Sequence, residues 1–229
     1  MRVAKTKMSK TSLPEAYQHS WVPFIHTKIW LDSKPLIPRP ETEYWVNEVI
    51  QKLKQAVGSR QYGIKILDLC AGSGAIGVAM AKEISSVQVD FVELDPKHHK
   101  TILKNVRENG VDENRVRIFG GDLFENIHDK YDLILTNPPY IDMSLGRVEE
   151  SVLEHEPKLA LDGGEAGLTI ITRILTEAPK YLKDGGELWL EHEPEQVTKI
   201  KHLASVQHSV LNTFKDQYGV ERYSEFHLA

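Results

Sequence analysis

Residues 135–140, Leu-Thr-Asn-Pro-Pro-Tyr, combine residue types that suit a binding loop better than a plain turn. They follow the apolar run of residues 131–134, which predicts a buried strand. Two consecutive prolines donate no backbone hydrogen bond and have a fixed φ, so they form a stiff exit from that strand. The residue before each proline is also held extended. We therefore expect this loop to hold the Asn137 side chain and the carbonyl groups after it in fixed positions.

A second candidate site is the glycine-rich stretch at residues 68–77, Asp-Leu-Cys-Ala-Gly-Ser-Gly-Ala-Ile-Gly. Its glycines have the spacing of a dinucleotide-binding loop, and Glu93 follows near the offset of a ribose-binding acid. A tight strand-to-helix turn without a ligand has the same pattern. We expect Asp68 to place a carboxylate at the mouth of the loop, which would repel a pyrophosphate and attract a cationic or amino-bearing ligand. S-adenosyl-L-methionine carries both a sulfonium and an amino group.

These acids predict how the cofactor would bind. The ribose hydroxyls would lie against Glu93, and the adenine would lie beside Asp122, which ends another predicted strand. A helix cap is the alternative role for Asp122. Cys70 is expected to contribute backbone and packing rather than to act as a nucleophile.

With a methyl donor at the glycine loop, the Asn-Pro-Pro-Tyr stretch gains a chemical role. An amino group conjugated to a carbonyl or a ring is a poor nucleophile, because its lone pair is delocalised. Asn137 Oδ1 and the Pro138 carbonyl can accept its two N–H bonds, while Tyr140 stacks on the flat group. Alignment of this kind lowers a barrier by about 7–11 kcal/mol, so positioning would supply most of the rate without a general base before attack. A rigid proline turn with an asparagine cap is the alternative.

The rest of the chain predicts the elements that hold these loops. Strands are predicted at residues 64–69, 87–94, 116–122, 131–137 and 187–192. Helices are predicted at residues 41–57, 75–84, 96–109 and 168–182, with Gly58 ending the first and Asp184-Gly185-Gly186 forming a turn. This alternation indicates a parallel sheet covered on both faces, which binds ligands at the carboxyl ends of its strands. A β-hairpin is predicted from Trp21–Trp30 onward, with a turn signal at Asp32-Ser33, and an antiparallel hairpin is predicted around residues 217–219 at the sheet edge.

Composition excludes several classes of protein. The 229 residues carry a net charge of −5, so an overall basic surface for nucleic acid is absent. The single cysteine excludes an internal disulfide framework and fits a reducing compartment. No apolar run approaches the ~18 residues of a membrane helix, and no signal peptide is evident, so we expect a cytoplasmic protein without a membrane partner. His155 and His192 lack metal-ligand spacing, so no metal is expected.

The glycine loop and Asn-Pro-Pro-Tyr resemble the amino-methylating branch of the Rossmann-like methyltransferases. Residues 36–43, Leu-Ile-Pro-Arg-Pro-Glu-Thr-Glu, and residues 156–168 resemble the HemK-type release factor glutamine methyltransferases within that branch. Residues 186–196 and 216–223 are also similar to that family. The resemblance runs from about Trp21 to the C-terminus.

This resemblance implies an α/β fold, the Rossmann-like seven-stranded class I methyltransferase with an antiparallel C-terminal hairpin. A small N-terminal β-hairpin would precede it. We expect a basic flexible tail at residues 1–20, the hairpin and pocket segment at residues 21–43, and the methyltransferase domain at residues 44–229. The implied reaction is S-adenosyl-L-methionine-dependent N5-methylation of the glutamine in the Gly-Gly-Gln loop of a peptide chain release factor. No stable nucleic-acid binding is expected.

The residue patterns above and the family resemblance together assign residues to roles, with Asp68 and Asp122 assigned from the residue patterns alone. The cofactor-binding set is Asp68, Cys70, Ala71, Gly72, Ser73, Gly74, Glu93, Asp122, Leu123 and Asn137. The catalytic set is Asn137, Pro138, Pro139 and Tyr140. The substrate-binding set adds Pro38, Arg39, Pro40, Glu41 and Thr42 to those four. Pro38, Pro40 and Thr42 would shape the pocket, and Arg39 and Glu41 would contact or support it.

The sequence departs from the family in three places. Only about twenty residues precede the hairpin, where family members usually have an N-terminal helical domain. Residues 190–193 read Leu-Glu-His-Glu in place of Leu-Glu-Ile-Gly, and Leu123 stands where an aromatic ring is often found. Two other functions stay open: an amino-methyltransferase for adenine or guanine in nucleic acid, and a non-catalytic cofactor-binding scaffold. The acidic chain and Pro-Arg-Pro-Glu-Thr-Glu disfavour the first, and an intact Asn-Pro-Pro-Tyr disfavours the second.

Overall fold

A computed structural model describes residues 12–57, 63–207 and 209–228. The strands are β1 Trp21–Phe24, β2 Thr27–Trp30, β3 Lys65–Leu69, β4 Gln88–Glu93, β5 Val116–Gly120, β6 Tyr131–Thr136, β7 Leu182–Glu191, β8 Ser209–Lys215 and β9 Glu221–Leu228. The α-helices are α1 Glu15–His19, α2 Pro40–Val57, α3 Ala75–Glu83, α4 His99–Glu108, α5 Glu150–His155, α6 Thr169–Glu177 and α7 Val197–Val206. Short 3₁₀ turns extend several of these helices.

Seven strands form one sheet in the order β5-β4-β3-β6-β7-β9-β8. Strands β3 to β7 pair in parallel, whereas β9 runs antiparallel to both β7 and β8. The order reverses between β3 and β6, so the ends of these two strands border a crevice where such sheets bind ligands. The predicted fold class, with its antiparallel C-terminal hairpin, is confirmed.

The parallel strands are apolar on both faces because helices cover both. Alternate residues of β3 enter different hydrophobic clusters: Ile66 packs with α2, α3 and α4, whereas Leu67 and Leu69 pack with α6 and α7. This alternation follows from the two-residue period of a strand. It also decides which face of the sheet receives the polar Asp68.

The observed elements differ from the predicted ones in several places. The helix predicted over residues 168–182 ends at Glu177 and is followed by a 3₁₀ turn at Ala178–Lys180. Strand β7 begins at Leu182 rather than at residue 187, and the predicted Asp-Gly-Gly turn lies within it. Pairing with β6 shifts register there, so these residues form an irregularity of the strand rather than its boundary. The short helix α5 and helix α7 were not predicted. Gly58, the predicted end of α2, lies outside the described residues.

The N-terminal hairpin is confirmed, but its turn lies at Ile25 and His26, between the paired Phe24 and Thr27, rather than at the predicted Asp32-Ser33. It docks on α4 through two asparagine amides, each of which bonds both the N–H and the C=O of one β2 residue. Asn105 pairs in this way with Trp30 and Asn109 with Lys28, at 2.7–3.0 Å. The two side-chain amides therefore give β2 the backbone hydrogen bonds that a neighbouring strand would otherwise provide.

The segment predicted as a flexible tail is partly ordered. Residues 1–11 lie outside the described residues, but Glu15–His19 form helix α1. Tyr17 is buried, and its hydroxyl donates to the Pro35 carbonyl. No helix in residues 12–57, 63–207 or 209–228 is long and apolar enough to cross a membrane.

Two buried histidines predict sensitivity to acid. Burial lowers the pKa of both His98 and His192 from 6.5 to about 4. The unfolded chain takes up protons as the pH falls below 6.5, whereas the folded chain does so only near 4. The free energy of unfolding therefore falls over this interval, by up to about 3 kcal/mol per histidine. The free energy of unfolding of His192→Gln, measured with urea, should decrease less between pH 6.5 and 4 than that of the unchanged protein. Equal decreases would contradict the lowered pKa of His192.

Candidate functional site

The Asn-Pro-Pro-Tyr loop leaves the carboxyl end of β6 beside the glycine loop that follows β3. A cavity lies between the two loops. Six of the ten residues predicted for the cofactor line it: Cys70, Gly72, Glu93, Asp122, Leu123 and Asn137. These residues come from the ends of four neighbouring strands, which explains why distant parts of the sequence meet at one place.

The glycine loop is built so that its backbone is open to the cavity. Cys70, Gly72 and Gly74 all have positive φ, between 55° and 78°, and the loop is tied to β4 by a hydrogen bond from the Ala71 N–H to the Val92 carbonyl. Nothing lies within 4 Å of the position that a Gly72 Cβ would occupy. A ligand can therefore approach this peptide closely. Ala71, Ser73 and Gly74 form the loop but are not among the residues that line the cavity.

Glu93 is held at the cavity by two backbone donors. Its Oε2 accepts from the Gly72 N–H at 2.7 Å, and its Oε1 accepts from the Asp95 N–H at 2.8 Å. Burial raises the pKa of this carboxyl despite these two hydrogen bonds. A carboxylate has about four lone-pair sites, so it retains capacity for the hydroxyl groups of a ligand.

Asp68 does not lie at the mouth of the loop, so that expectation was wrong. Its side chain points to the face of the sheet that carries α3, where Oδ2 accepts from the Gly77 N–H at 2.8 Å. The residue is fully buried, and burial raises the pKa of its carboxyl well above the ordinary value. Its Oδ1 is buried and has no hydrogen-bond partner among the described residues. Asp68 therefore supports the loop from beneath.

Asp122 is held by an arginine that the sequence did not indicate. Arg173 of α6 donates from Nη1 to both carboxylate oxygens of Asp122, at 3.1 and 2.9 Å. This ion pair fixes the carboxylate at the cavity wall. Leu123 is buried beside it with φ 52°.

A buried cluster of hydrogen bonds connects the Asn-Pro-Pro-Tyr loop with α2 and β7. Asn137 Nδ2 donates to Thr42 Oγ1 at 3.0 Å, and Thr42 Oγ1 donates to Glu191 Oε2 at 2.7 Å. Trp45 Nε1 donates to the same oxygen at 2.8 Å, and the Tyr140 hydroxyl donates to Glu191 Oε1 at 2.8 Å. Glu191 is fully buried and had no predicted role. Its only sequence signal is an acid at the end of a predicted central strand.

A second cavity adjoins the same loop. Tyr140 and Arg39 line it, together with Ile141, Leu161 and Gln196. Asn137 and Pro139 instead line the first cavity. The loop therefore contributes its first residues to one cavity and its last residue to the other.

The predicted substrate segment contributes mainly through support. Arg39 Nη2 donates to Glu156 Oε1 at 2.6 Å, and Glu156 Oε2 accepts from the Ile37 N–H at 3.0 Å. Glu156 thus joins this segment to residues 156–168. Pro38, Pro40 and Glu41 line neither cavity, whereas Leu36, which was not predicted, lines the first.

Residues 156–168 brace the loop from the other side by close backbone packing. The Ile141 N–H donates to the Leu161 carbonyl, and the Gly163 N–H donates to the Ile141 carbonyl. A Cβ on Gly167 would lie 2.0 Å from the Tyr140 oxygen, so only glycine fits there. The glycines of this stretch therefore allow it to contact the Tyr140 backbone.

The chain is also similar in sequence to proteins of a known family. A family described as "Methyltransferase small domain" matches residues 49–165, more than half of the chain. The "Release factor glutamine methyltransferase" of Agrobacterium fabrum is 34% identical over 198 residues, which cover 86% of this chain and 68% of that protein. The chain belongs to the release factor glutamine methyltransferase family. It is therefore an N-methyltransferase by family.

Two further proteins are similar to this chain, one over part of its length and one in fold alone. The protein of the same name from Geobacter sulfurreducens is 40% identical over 158 residues, but the chain spans only 52% of its length. The ribosomal protein L11 methylase of Lactobacillus delbrueckii subsp. bulgaricus shares the fold, with a TM-score of 0.61 and 14% identity over 86% of this chain and 82% of that one. At this identity the structural likeness supports the fold alone.

Proposed function

We propose that this chain transfers a methyl group from S-adenosyl-L-methionine to a glutamine side-chain amide in the Gly-Gly-Gln loop of a peptide chain release factor. The observation that carries the proposal is the hydrogen bond from Asn137 Nδ2 to Thr42 Oγ1. It joins the loop suited to a planar amide with the segment that resembles glutamine methyltransferases. The similarity to proteins named release factor glutamine methyltransferase supports the same substrate.

The residues around the first cavity fit the cofactor. Glu93 offers a fixed carboxylate to ribose hydroxyls, and Asp122 offers one to the amino group of an adenine. Gly72 leaves its backbone open to close approach. When bound, this cofactor supplies an electrophilic methyl group.

The residues of this chain would then act on the glutamine amide. Asn137 Oδ1 and the Pro138 carbonyl accept the two amide N–H bonds and hold the nitrogen in one orientation. Positive charge that develops on the nitrogen makes its protons better donors, so these hydrogen bonds strengthen in the transition state. The amide proton becomes acidic only as the new N–C bond forms, so no base is required before attack. The nitrogen would then lose one proton to water, and the sulfonium that gave the methyl group would become a neutral thioether. The stiff Pro138-Pro139 pair holds both acceptors in place.

The substrate would reach the loop from the second cavity. Its wall contains Tyr140, whose hydroxyl is held by Glu191, and Arg39, whose guanidinium is held by Glu156. An amide side chain is uncharged and planar, so it needs fixed hydrogen-bond acceptors and a flat wall rather than a counter-ion. Asn137 Oδ1 and the Pro138 carbonyl would supply the acceptors, and the Tyr140 ring would supply the flat wall.

The test is a methyl-transfer assay analysed by mass spectrometry. Purified protein and isotope-labelled S-adenosyl-L-methionine are mixed with a peptide chain release factor, with the same factor carrying a Gln→Ala change in its Gly-Gly-Gln loop, and with total RNA. We expect label on the loop glutamine of the unchanged factor and none on its Gln→Ala form. Label on RNA would instead assign the chain to nucleic-acid methylation, and bound cofactor without any transfer would favour the scaffold function.

A further inference from the structure

Glu191 is the acceptor that anchors both ends of the Asn-Pro-Pro-Tyr loop. Its Oε1 accepts from Tyr140 at the last position of the loop, and its Oε2 accepts from Thr42, which in turn bonds Asn137 at the first position. A fully buried carboxylate without partners would be costly, and here it has three donors. One side chain of β7 therefore fixes a loop that begins at β6.

The direction of these hydrogen bonds determines how Asn137 is oriented. A hydroxyl has one proton, and Thr42 gives that proton to the carboxylate of Glu191. The Thr42 oxygen can then only accept, and the only donor on the Asn137 side chain is its Nδ2 group. The amide oxygen of Asn137 is thereby kept available as an acceptor. A flipped amide would place two acceptors against each other.

We propose that Thr42 and Glu191 are positioning residues that orient the Asn137 amide so that its Oδ1, not its Nδ2, meets the substrate amide. This inference rests on the proposed function and deepens it. An Asn137 that presented Nδ2 would offer a donor to a substrate nitrogen that itself needs acceptors. The specificity of the site for an N–H-bearing group then depends on a hydroxyl and a carboxylate that do not touch the substrate.

The test compares variants at Thr42 that separate the hydroxyl from the shape of the side chain. Thr42→Val keeps the volume and removes the hydroxyl, whereas Thr42→Ser keeps the hydroxyl and removes a methyl. We expect Thr42→Val to lower kcat about 10- to 100-fold at little change in cofactor affinity. Thr42→Ser should restore most of the rate. Glu191→Gln, which supplies one oxygen in place of two, should lower kcat in the same way as Thr42→Val.

Thr27→Val is the matched control for the loss of a buried threonine hydroxyl. Thr27 is also buried, and its Oγ1 donates to the Phe24 carbonyl in the hairpin turn, away from both cavities. It should lose stability without losing kcat, which separates a general packing effect from an effect on the loop. Equal losses of rate in Thr42→Val and Thr42→Ser, or none in Thr42→Val, would overturn the inference.

A second measurement is independent of the substrate. The side-chain amide signal of Asn137, assigned by its loss in Asn137→Ala, is followed by ¹H–¹⁵N NMR. We expect it to shift in Thr42→Val and Glu191→Gln and to stay near its original position in Thr42→Ser. An unchanged signal in Thr42→Val would overturn the inference even if the release factor is methylated. A protein that methylates no release factor but shows the shift would instead overturn the proposed function alone.

Discussion

Asn137→Ala is expected to lower the rate of methyl transfer to the release factor glutamine by about 10³-fold, near the upper end for removal of one preorganised polar group from an active site. Its Oδ1 is the acceptor that the arrangement of Thr42 and Glu191 keeps available, and alanine offers nothing in its place. The cofactor would lose at most one hydrogen bond, so its affinity should change by no more than about tenfold. Single-turnover kinetics and calorimetric titration with S-adenosyl-L-methionine measure the two effects separately.

Asn212→Ala is the control for this variant. Asn212 is an exposed asparagine on β8 whose amide donates to Glu225, so its removal tests the loss of an amide far from the cavities. It should leave both the transfer rate and the cofactor affinity unchanged. If Asn137→Ala retained its rate, the amide would have no catalytic role. A large loss of cofactor affinity with an unchanged maximal rate would instead make Asn137 a cofactor ligand only.

The part of the site that could be predicted from sequence is the part that lies at strand ends. Glu93 and Asn137 end or follow buried strands, and a parallel sheet brings such ends to one edge whatever the details of packing. Both line the first cavity, as does Asp122 shortly after β5. The local sequence pattern was sufficient to predict these site residues because the parallel topology of the sheet brings the strand ends together.

Asp68 shows where this reasoning fails. Its position near a strand end was predicted correctly, but successive residues of a strand face opposite sides of the sheet. Position 68 shares a face with Ile66, which packs with α3, so its carboxylate bonds the Gly77 N–H of that helix. A polar residue near a strand end therefore meets the ligand or a helix according to the face of the sheet to which its side chain points.

Glu191 could not be assigned because its role depends on contacts that are distant in sequence. Its partner Thr42 lies 149 positions away, and nothing in either segment indicates that α2 and β7 meet. Helix α7, by contrast, could have been predicted, because the sequence carries a signal for it. Val197, Ile200 and Ala204 have helical spacing, and Glu193 with Gln196 forms a capping box at its start.

Glu93→Gln is expected to raise the dissociation constant for S-adenosyl-L-methionine by about 100-fold. Both carboxylate oxygens already accept from backbone, Oε2 from Gly72 and Oε1 from Asp95. A glutamine has one oxygen, so its amide group must face one of these N–H groups, and the loop or the carboxamide must move. Loss of charge-assisted hydrogen bonds to the ribose, worth about 1.5–3 kcal/mol each, adds to this effect. Calorimetric titration measures the constant, and kcat at saturating cofactor should change little.

The pH dependence of binding separates the charge of Glu93 from its shape. Burial raises the pKa of this carboxyl, so it becomes protonated at higher pH than an ordinary glutamate as the solution is acidified. Affinity for the cofactor should therefore be greatest above this pKa and fall as the pH decreases through it. Glu93→Gln cannot titrate and should lose this dependence, whereas Glu113→Gln, at an exposed ion pair with Arg107, should keep both the affinity and its pH profile. A cofactor affinity in Glu93→Gln equal to that of the unchanged protein would remove Glu93 from the binding site.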